Sequence, residues 1–356
     1  MKNSIVKKIY AYLQDEQSVK IFENRLLHSL TEKPKYIGNI VALTYGSEDK
    51  WNFLCGYDNI VVYGTGNIAK HYQFYFERVK EKIAAFCDRD EAKQKKLFCG
   101  YKVISPKELE EKHNNSVVVI ALWDDKLIAE ITEGLLKQGF LKNQILAFKR
   151  EFHKKYSQNA IGTPYFDPAI VLPKYDEVFI DAGCFDCNTS VDFTKWNNAE
   201  YKKIIAFEPN PEQYSVCREF VAGGGICNMT IYPYGLWNEN AELSFKNTGT
   251  NAGVAACIAS TLEGDIIKIK VVKLDDILNG DEATFIKMDI EGAELNALKG
   301  AEQTILKYRP KLAICVYHKP EDIWEIPAYI LSLHKDYKFY LRHYSIGPAD
   351  TVLYAV

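Results

Sequence analysis

The C-terminal half of the chain alternates between short apolar runs and helical segments, and this alternation constrains the fold more than any other feature. Apolar runs begin at Val178, Ile204 and Met229, and helical sequence separates them. The same order resumes with apolar runs at residues 284–290 and 312–317. Strands that alternate with helices in this way predict a parallel sheet with helical crossovers.

Two further apolar runs, residues 339–344 and 351–356, close the chain without a helix between them. They complete a predicted sheet of seven strands, mostly parallel, with an antiparallel final hairpin. Residues 238–274 interrupt the alternation with two segments, 242–246 and 266–272, in which apolar and polar residues alternate. That period predicts a separate antiparallel hairpin.

A shorter α/β pattern occupies residues 51–150. An apolar strand after Asp58 runs into Gly64-Thr-Gly66 and a helical segment, and a second strand ends at Asp88, 22 residues after Gly66. A dinucleotide-binding fold has its ribose-binding acid at the end of the second strand, at about this distance from the glycine loop. The pattern therefore predicts a nucleotide or nucleotide-sugar site formed by Gly64, Gly66 and Asp88. The segment is too short for two mononucleotide halves, which predicts half a Rossmann fold. The alternative, which we favour, is a scaffold whose glycines serve only close helix–sheet packing.

These patterns divide the chain into four segments. Residues 1–50 have apolar residues at helical spacing and predict a helical cap. Residues 151–175 are dense in charge and turn formers and predict a linker between the domains at 51–150 and 176–356. The fold class that we expect is α/β, with two Rossmann-like domains.

Composition limits the partners and the compartment. The chain has 44 Lys and Arg against 47 Asp and Glu, a net charge of -3, so no cationic field favours nucleic acid or an anionic membrane. No window approaches the ~20 apolar residues of a spanning helix, and the start lacks the continuous apolar stretch of a signal peptide. Nine scattered cysteines fit reduced thiols. We expect a cytoplasmic protein that acts on a small molecule or a glycan, without nucleic-acid binding or membrane insertion. The sequence leaves the oligomeric state open.

Two acids follow neighbouring predicted strands. Asp181 and Gly183 end the strand that begins at Val178, and Glu208 ends the next one. An acid at the first turn repels phosphates and attracts an ammonium or sulfonium cation. A carboxylate accepts hydrogen bonds only, so Glu208 suits two ribose hydroxyl groups. The pair predicts one site for a cationic cofactor.

A third strand ends in Asp289-Ile-Glu291-Gly-Ala-Glu294, three acids that repel one another unless they meet a positive group or a helix start. The helix start accounts for Glu294 and less well for Asp289. His318 follows the next strand, at the same edge of the predicted sheet, where a base with a pKa near neutrality could act.

Residues 165–356 resemble the FkbM family of S-adenosylmethionine-dependent methyltransferases. The resemblance is carried by the string at 286–294, by residues 313–327 and by Leu341-Arg-His-Tyr344. It implies a class I methyltransferase-type sheet, Asp181 and Gly183 beside the methionine part of the cofactor, and Glu208 on the ribose. The further cofactor-binding candidates are Asp186, Asn188, Thr189, Pro209, Asn210 and Asp289.

One position departs from the family pattern. Cys187 stands where the family has the second glycine of the first loop. Because cysteine resists a positive φ, we expect Asp186 or Asn188 to adopt the unusual conformation instead. Cys184 and Cys187 also form a Cys-x2-Cys pair at a helix start, which leaves a redox role open beside simple packing. The sequence has no second such pair for zinc.

The resemblance implies an O-methyltransferase that acts on a hydroxyl of a sugar, glycan or sugar-derived metabolite. His318 is the expected base, Asp289 orients it or the acceptor, and the hairpin at 238–274 covers the acceptor. Asp289 and Glu291 offer magnesium hard ligands but no complete set, so metal use is left uncertain. The rival is a nucleotide-sugar or dinucleotide-binding protein whose methyltransferase-like domain is inactive; a thiol oxidoreductase is a third alternative.

Overall fold

The computed structural model describes residues 2–46, 53–151, 163–246 and 266–356. The chain divides into two units. The larger unit comprises Met1–Leu30, Gly162–Tyr344 and Ala349–Val356, and the smaller unit comprises Thr31–Ile161 and Ser345–Pro348. Among the described residues, no helix is both long and apolar enough to cross a membrane.

Helices and strands are numbered in chain order. The α-helices are α1 (Lys2–Tyr10), α2 (Glu16–Thr31), α3 (Lys35–Tyr45), α4 (Asn67–His71), α5 (Gln73–Arg78), α6 (Glu91–Gln94), α7 (Pro106–Lys112), α8 (Asp125–Lys137), α9 (Asn188–Trp196), α10 (Pro211–Ala222), α11 (Leu274–Leu278), α12 (Glu294–Lys299), α13 (Glu302–Tyr308) and α14 (Asp322–Leu333). The strands are β1 (Ile60–Tyr63), β2 (Ile83–Cys87), β3 (Leu97–Phe98), β4 (Tyr101–Ile104), β5 (Val117–Ile120), β6 (Ile145–Ala147), β7 (Glu177–Ala182), β8 (Tyr201–Phe207), β9 (Met229–Tyr232), β10 (Gly235–Leu236), β11 (Ala241–Lys246), β12 (Ile266–Val272), β13 (Phe285–Met288), β14 (Lys311–Cys315), β15 (Phe339–His343) and β16 (Thr351–Ala355).

The larger unit is built on a seven-stranded sheet in the order β15-β16-β14-β13-β7-β8-β9. Five strands are parallel neighbours, whereas β16 runs antiparallel to β14 and to β15. All six residues of β7 are buried, Glu177 and Asp181 included, because the strand lies inside the sheet between β13 and β8. The predicted seven-stranded, mostly parallel sheet with an antiparallel final pair is confirmed.

The smaller unit has a six-stranded sheet in the order β3-β4-β2-β1-β5-β6, and all pairs except β3–β4 are parallel. The strand order reverses between β1 and β5, as in a doubly wound fold. The α/β class is confirmed, and the sheet has six strands where the sequence indicates a half-Rossmann unit. Strand β4 has two buried residues out of four and β6 is only three residues long, so neither gives a long continuous apolar run in the sequence.

The predicted hairpin is present. Strands β11 and β12 pair antiparallel from Ala241 opposite Val271, and β10 adds a third, short strand. Residues 247–265, between the paired strands, lie outside the described residues. After β13 the chain forms two short helices, α12 and α13.

The unit boundaries differ from the predicted ones at both ends of the smaller unit. The predicted cap at 1–50 is divided after Leu30, because its first part adds to the sheet of the larger unit: Gln14 N donates to Phe339 O. In the predicted linker at 151–175, Tyr165 and Phe166 are buried in the core of the larger unit. Two aromatic residues in a charged segment were too weak a signal to show this.

Gly183 is required where the loop after β7 meets the end of β13. Its φ is 76°, and a Cβ atom there would lie 2.2 Å from the carbonyl oxygen of Asp289.

We expect Gly183→Ala to lower the free energy of unfolding by about 2–5 kcal/mol, the sum of left-handed strain and overpacking. Gly280→Ala is the matched control, because its φ is 89° and nothing lies within 4 Å. Urea denaturation of both variants makes the comparison; equal losses would show that the contact with Asp289 has no energetic weight.

Candidate functional site

A buried ion pair joins the two central strands of the larger unit. Lys287 Nζ on β13 lies 3.1 Å from Asp181 Oδ1 on β7, and the side chains are 2% and 0% exposed. The same ammonium donates to the carbonyl oxygens of Ala182 and Gly183, at 3.2 and 2.8 Å. Burial alone lowers the pKa of Lys287, but the charges of Asp181 and Asp289 outweigh it and raise that pKa. Lys287 therefore stays charged and fixes the loop that follows β7.

Asp181 has both carboxylate oxygens engaged within the protein. Oδ1 accepts from Lys287, and Oδ2 accepts from the Ser190 hydroxyl at 2.7 Å. Because Ser190 lies on α9, the carboxylate connects β7, β13 and this helix. The sequence analysis placed Asp181 beside the methionine part of a cofactor; the geometry gives it a positioning role through the loop.

The conformation of the loop corrects one sequence expectation. Cys187 itself is left-handed, with φ 65° and ψ 4°, and Phe185 also has a positive φ of 47°. The expectation that Asp186 or Asn188 would take this conformation was wrong. Asn188 starts α9, and Asp186 Oδ1 accepts from its backbone N–H at 3.0 Å. Thr189 follows in the first turn of the same helix.

Glu208, just after β8, is 6% exposed and fastens the loop to the neighbouring strand. Its Oε2 accepts from Phe185 N at 3.0 Å, and its Oε1 accepts from Asn210 N at 2.9 Å. Burial raises the pKa of Glu208 to about 7. Each oxygen keeps capacity for a further hydrogen bond, as a ribose hydroxyl would require. After Pro209, Asn210 caps α10 through Oδ1, which accepts from Glu212 N at 2.9 Å.

The strand order of the larger unit reverses between β7 and β13. Ligands of open α/β sheets bind at the carboxyl ends of the strands beside such a reversal. Gly183 and Asp289 lie directly after these two strands, and Glu208 follows the next strand. The sequence-predicted acids thus meet at the edge of the sheet where a ligand is expected.

His318 lies among three carboxylates at this edge, and its side chain is 9% exposed. Nδ1 is 2.9 Å from Glu294 Oε1, and Nε2 is 3.5 Å from Asp289 Oδ1 and 3.6 Å from Glu291 Oε2. Burial alone lowers the pKa of His318, but the three carboxylates outweigh it and raise that pKa to about 9. The imidazole is therefore a cation at neutral pH.

Two tyrosines hold Asp289, and the sequence analysis missed both. Tyr165 Oη donates to Oδ2 at 2.8 Å, and Tyr317 Oη donates to Oδ1 at 3.2 Å. Burial opposes ionisation of Asp289, but the charges of Lys287 and His318 and the hydrogen bond from Tyr165 hold its pKa below the ordinary value. Tyr317 directly precedes His318 and could have been found from that position. Tyr165 lay in the predicted linker and had no such signal.

The acids also bear on metal binding. Donor atoms of Asp289, Glu294 and His318 lie within 4.8 Å of one another. Glu294 Oε1 already accepts from Ile290 N at 2.9 Å and pairs with the imidazole. Ion pairing accounts for these contacts, and the uncertainty of the sequence analysis about a metal stands.

In the smaller unit, Asp88 is bonded to its own glycine loop. Its Oδ2 accepts from both the backbone N–H and the hydroxyl of Thr65, at 2.9 and 2.6 Å, and pairs with Lys93 at 3.0 Å. Burial would raise the pKa of Asp88, but these bonds and one from Asp90 N lower it to about 2. Gly64 and Gly66 flank Thr65, so the acid stabilises the loop. This agrees with the scaffold interpretation; the nucleotide site stays a prediction.

Comparison with protein families gives a match for part of the larger unit. Residues 184–344 match the family described as "Methyltransferase FkbM domain". The chain carries an FkbM methyltransferase domain. Residues 56–146, in the smaller unit, match a family described as "C2185-like, N-terminal". No curated protein matches the chain significantly.

Solved structures of methyltransferases are similar to this chain at low identity. Methyltransferase FkbM from Methylobacillus flagellatus KT has 19% identity and a TM-score of 0.47, over 85% of this chain and 92% of that one. An rRNA methylase from Streptococcus thermophilus has 15% identity and a TM-score of 0.35, over 55% of this chain and 96% of its own. A putative methyltransferase from Streptococcus mutans in complex with SAH has 13% identity and a TM-score of 0.33, over 55% and 99%.

The ion pair at the centre of the FkbM domain allows a direct test. Lys287→Met leaves Asp181 buried without its partner, so we expect the free energy of unfolding to fall by about 3–5 kcal/mol. Lys195→Met is the control, because Lys195 pairs with Asp192 on the surface, where the side chains are 70% and 39% exposed, and should cost less than about 1 kcal/mol. Urea denaturation measures both. Equal losses in the two variants would contradict the central role of Lys287.

Proposed function

We propose that the FkbM domain is an S-adenosylmethionine-dependent O-methyltransferase whose acceptor is a hydroxyl of a sugar, glycan or sugar-derived metabolite. The observation that carries the proposal is the meeting of Gly183, Glu208, Asp289 and His318 at the carboxyl edge of one sheet, beside its strand reversal. The FkbM match at residues 184–344 supports the reaction class. The net charge of -3 agrees with an acceptor other than nucleic acid.

The groups at this edge of the sheet suit S-adenosylmethionine, the methyl donor. Glu208 offers acceptor oxygens to the ribose hydroxyls, and the backbone of the loop at Gly183, packed closely against Asp289 O, is proposed to lie along the methionine part. Asp289 supplies a negative charge that favours a sulfonium cation over a neutral or anionic ligand. When bound, S-adenosylmethionine supplies the electrophilic methyl group. Asp186, Asn188 and Thr189, at the start of α9, and Pro209 and Asn210, before α10, complete the proposed cofactor surface.

His318 and Asp289 act on the acceptor. The acceptor hydroxyl must lose its proton as the new bond forms, and the Nε2 atom of His318 is the proposed proton acceptor. The carboxylates of Asp289 and Glu291 stabilise the imidazolium that results, and Glu294 holds the ring through Nδ1. The hairpin of β11 and β12 is proposed to cover the acceptor.

Calorimetric titration of the full chain with S-adenosylhomocysteine tests cofactor binding. We expect one site per chain, and we expect Glu208→Gln to weaken binding by about tenfold or more, because charge-assisted hydrogen bonds are lost. Glu212→Gln, an exposed acid in the first turn of α10, is the matched control and should bind as the unmodified chain does. Binding of NAD or a nucleotide sugar without S-adenosylhomocysteine binding would favour the rival nucleotide-binding function.

The pH dependence of turnover tests the base. Because the pKa of His318 is raised to about 9, the neutral imidazole becomes roughly tenfold more abundant for each pH unit from 7 towards 9. We expect kcat to follow this rise and level off above about pH 9, and His318→Gln to lower kcat by about 10²-fold or more and remove the rise. Formation of S-adenosylhomocysteine with free sugars, nucleotide sugars and short glycans is the assay. A profile that is flat between pH 7 and 9 would remove His318 as the base, and inactivity with all three acceptor classes would contradict the acceptor assignment.

A further inference from the structure

Three thiols meet beside the cofactor loop, although they are far apart in sequence. Cys184 follows β7, Cys187 caps α9, and Cys217 lies inside α10. Their Sγ atoms all lie within 4.8 Å of one another, and those of Cys184 and Cys217 are 3.9 Å apart. The three residues are 2%, 0% and 0% exposed. Sequence analysis considered only Cys184 and Cys187, since Cys217 stands alone in the chain.

The distance between Cys184 Sγ and Cys217 Sγ is compatible with two ligands of a single metal ion. With metal–sulfur bonds of about 2.3 Å, two thiolates are about 3.8 Å apart in tetrahedral geometry and about 4.0 Å apart in trigonal geometry. The observed 3.9 Å falls between these values. Thiolates select soft or borderline cations such as Zn²⁺ and Cu⁺ over Mg²⁺ and Ca²⁺. The arrangement is also independent of the carboxylates around His318.

The backbone supports the same interpretation. Cys187 holds a left-handed conformation at φ 65°, which costs an L-residue about 1–2 kcal/mol and which glycine adopts freely. The residue in this conformation is also the one whose sulfur completes the group of three. The Cys217 thiol donates a hydrogen bond to Phe185 O at 3.0 Å, which directs its Sγ at the loop between Cys184 and Cys187; loss of the thiol proton to a metal would break this bond.

We propose that Cys184, Cys187 and Cys217 form a metal site that binds one thiophilic d¹⁰ cation, Zn²⁺ or Cu⁺, through three thiolates. On binding, three S–H bonds break, three metal–sulfur bonds form and three protons pass to solvent. Within the described part of the chain, no further Cys, His, Asp or Glu joins the group, so these residues supply three-coordinate ligation. The ion would tie the loop after β7 to α10. It would thereby brace Phe185, whose backbone N–H is bonded to Glu208.

Metal titration of the reduced, metal-free full chain tests this site. Zn²⁺ and Cu⁺ are added in separate arms, and we expect one tightly bound equivalent of at least one ion. Each of Cys184→Ser, Cys187→Ser and Cys217→Ser should weaken that binding by at least 100-fold. Cys87→Ser is the control, since it removes a buried thiol from the smaller unit and should retain the full equivalent. The arm that binds more tightly identifies the ion.

X-ray absorption at the metal edge of the loaded, unmodified chain gives a result even if a cysteine variant fails to fold. Three sulfur neighbours at about 2.3 Å are expected. Absence of a stoichiometric ion in both arms would overturn the proposal, as would a first shell of nitrogen and oxygen atoms. Retention of the equivalent in all three variants would also overturn it. A disulfide among the three cysteines in the freshly isolated chain would also overturn the proposal, because it would indicate a redox pair instead of a metal site.

Discussion

The structure of the candidate site depends on a charge buried at the centre of a parallel sheet. Lys287 and Asp181 face each other across β13 and β7, and both side chains are almost fully buried. A buried ion is tolerated only when partners satisfy its hydrogen bonds, and here Asp181, Ala182 and Gly183 satisfy the ammonium. The pair therefore fixes the ends of both strands and the direction of the loop between β7 and α9.

That constraint determines the electrostatics of the sheet edge. Asp289, Glu291 and Glu294 crowd around His318, and crowded carboxylates would repel one another without compensation. Lys287 from within the sheet and the imidazolium of His318 provide the compensating charge. Asp289 thus stays ionised, whereas His318 is held as a cation until the pH approaches its raised pKa.

Much of this arrangement could be predicted from sequence. The apolar runs gave all seven strands of the larger sheet, because alternation of strand and helix is a local pattern. Glu208, Asp289 and His318 could be singled out because each follows a predicted strand, and strand ends share one edge. The structure brings them to that edge, whereas their roles remain proposals.

The remainder depends on contacts between distant residues, which a single sequence does not display. Asp181 was expected at the ligand, but Lys287 and Ser190 occupy its oxygens. Tyr165 reaches Asp289 from a segment that reads as a linker, and Cys217 joins Cys184 across 33 residues of intervening fold. Local propensity also failed at Cys187, where tertiary packing of a buried sulfur overrides the reluctance of cysteine to take a positive φ.

A crystal structure with S-adenosylhomocysteine tests the account most directly. The account predicts the ribose hydroxyls on Glu208, the amino-acid part along the loop at Gly183, and the sulfur facing Asp289 and His318, while the Lys287–Asp181 pair stays intact. Ligand density at Gly64 and Asp88 of the smaller unit instead, or a ligand held away from Glu208, would contradict it.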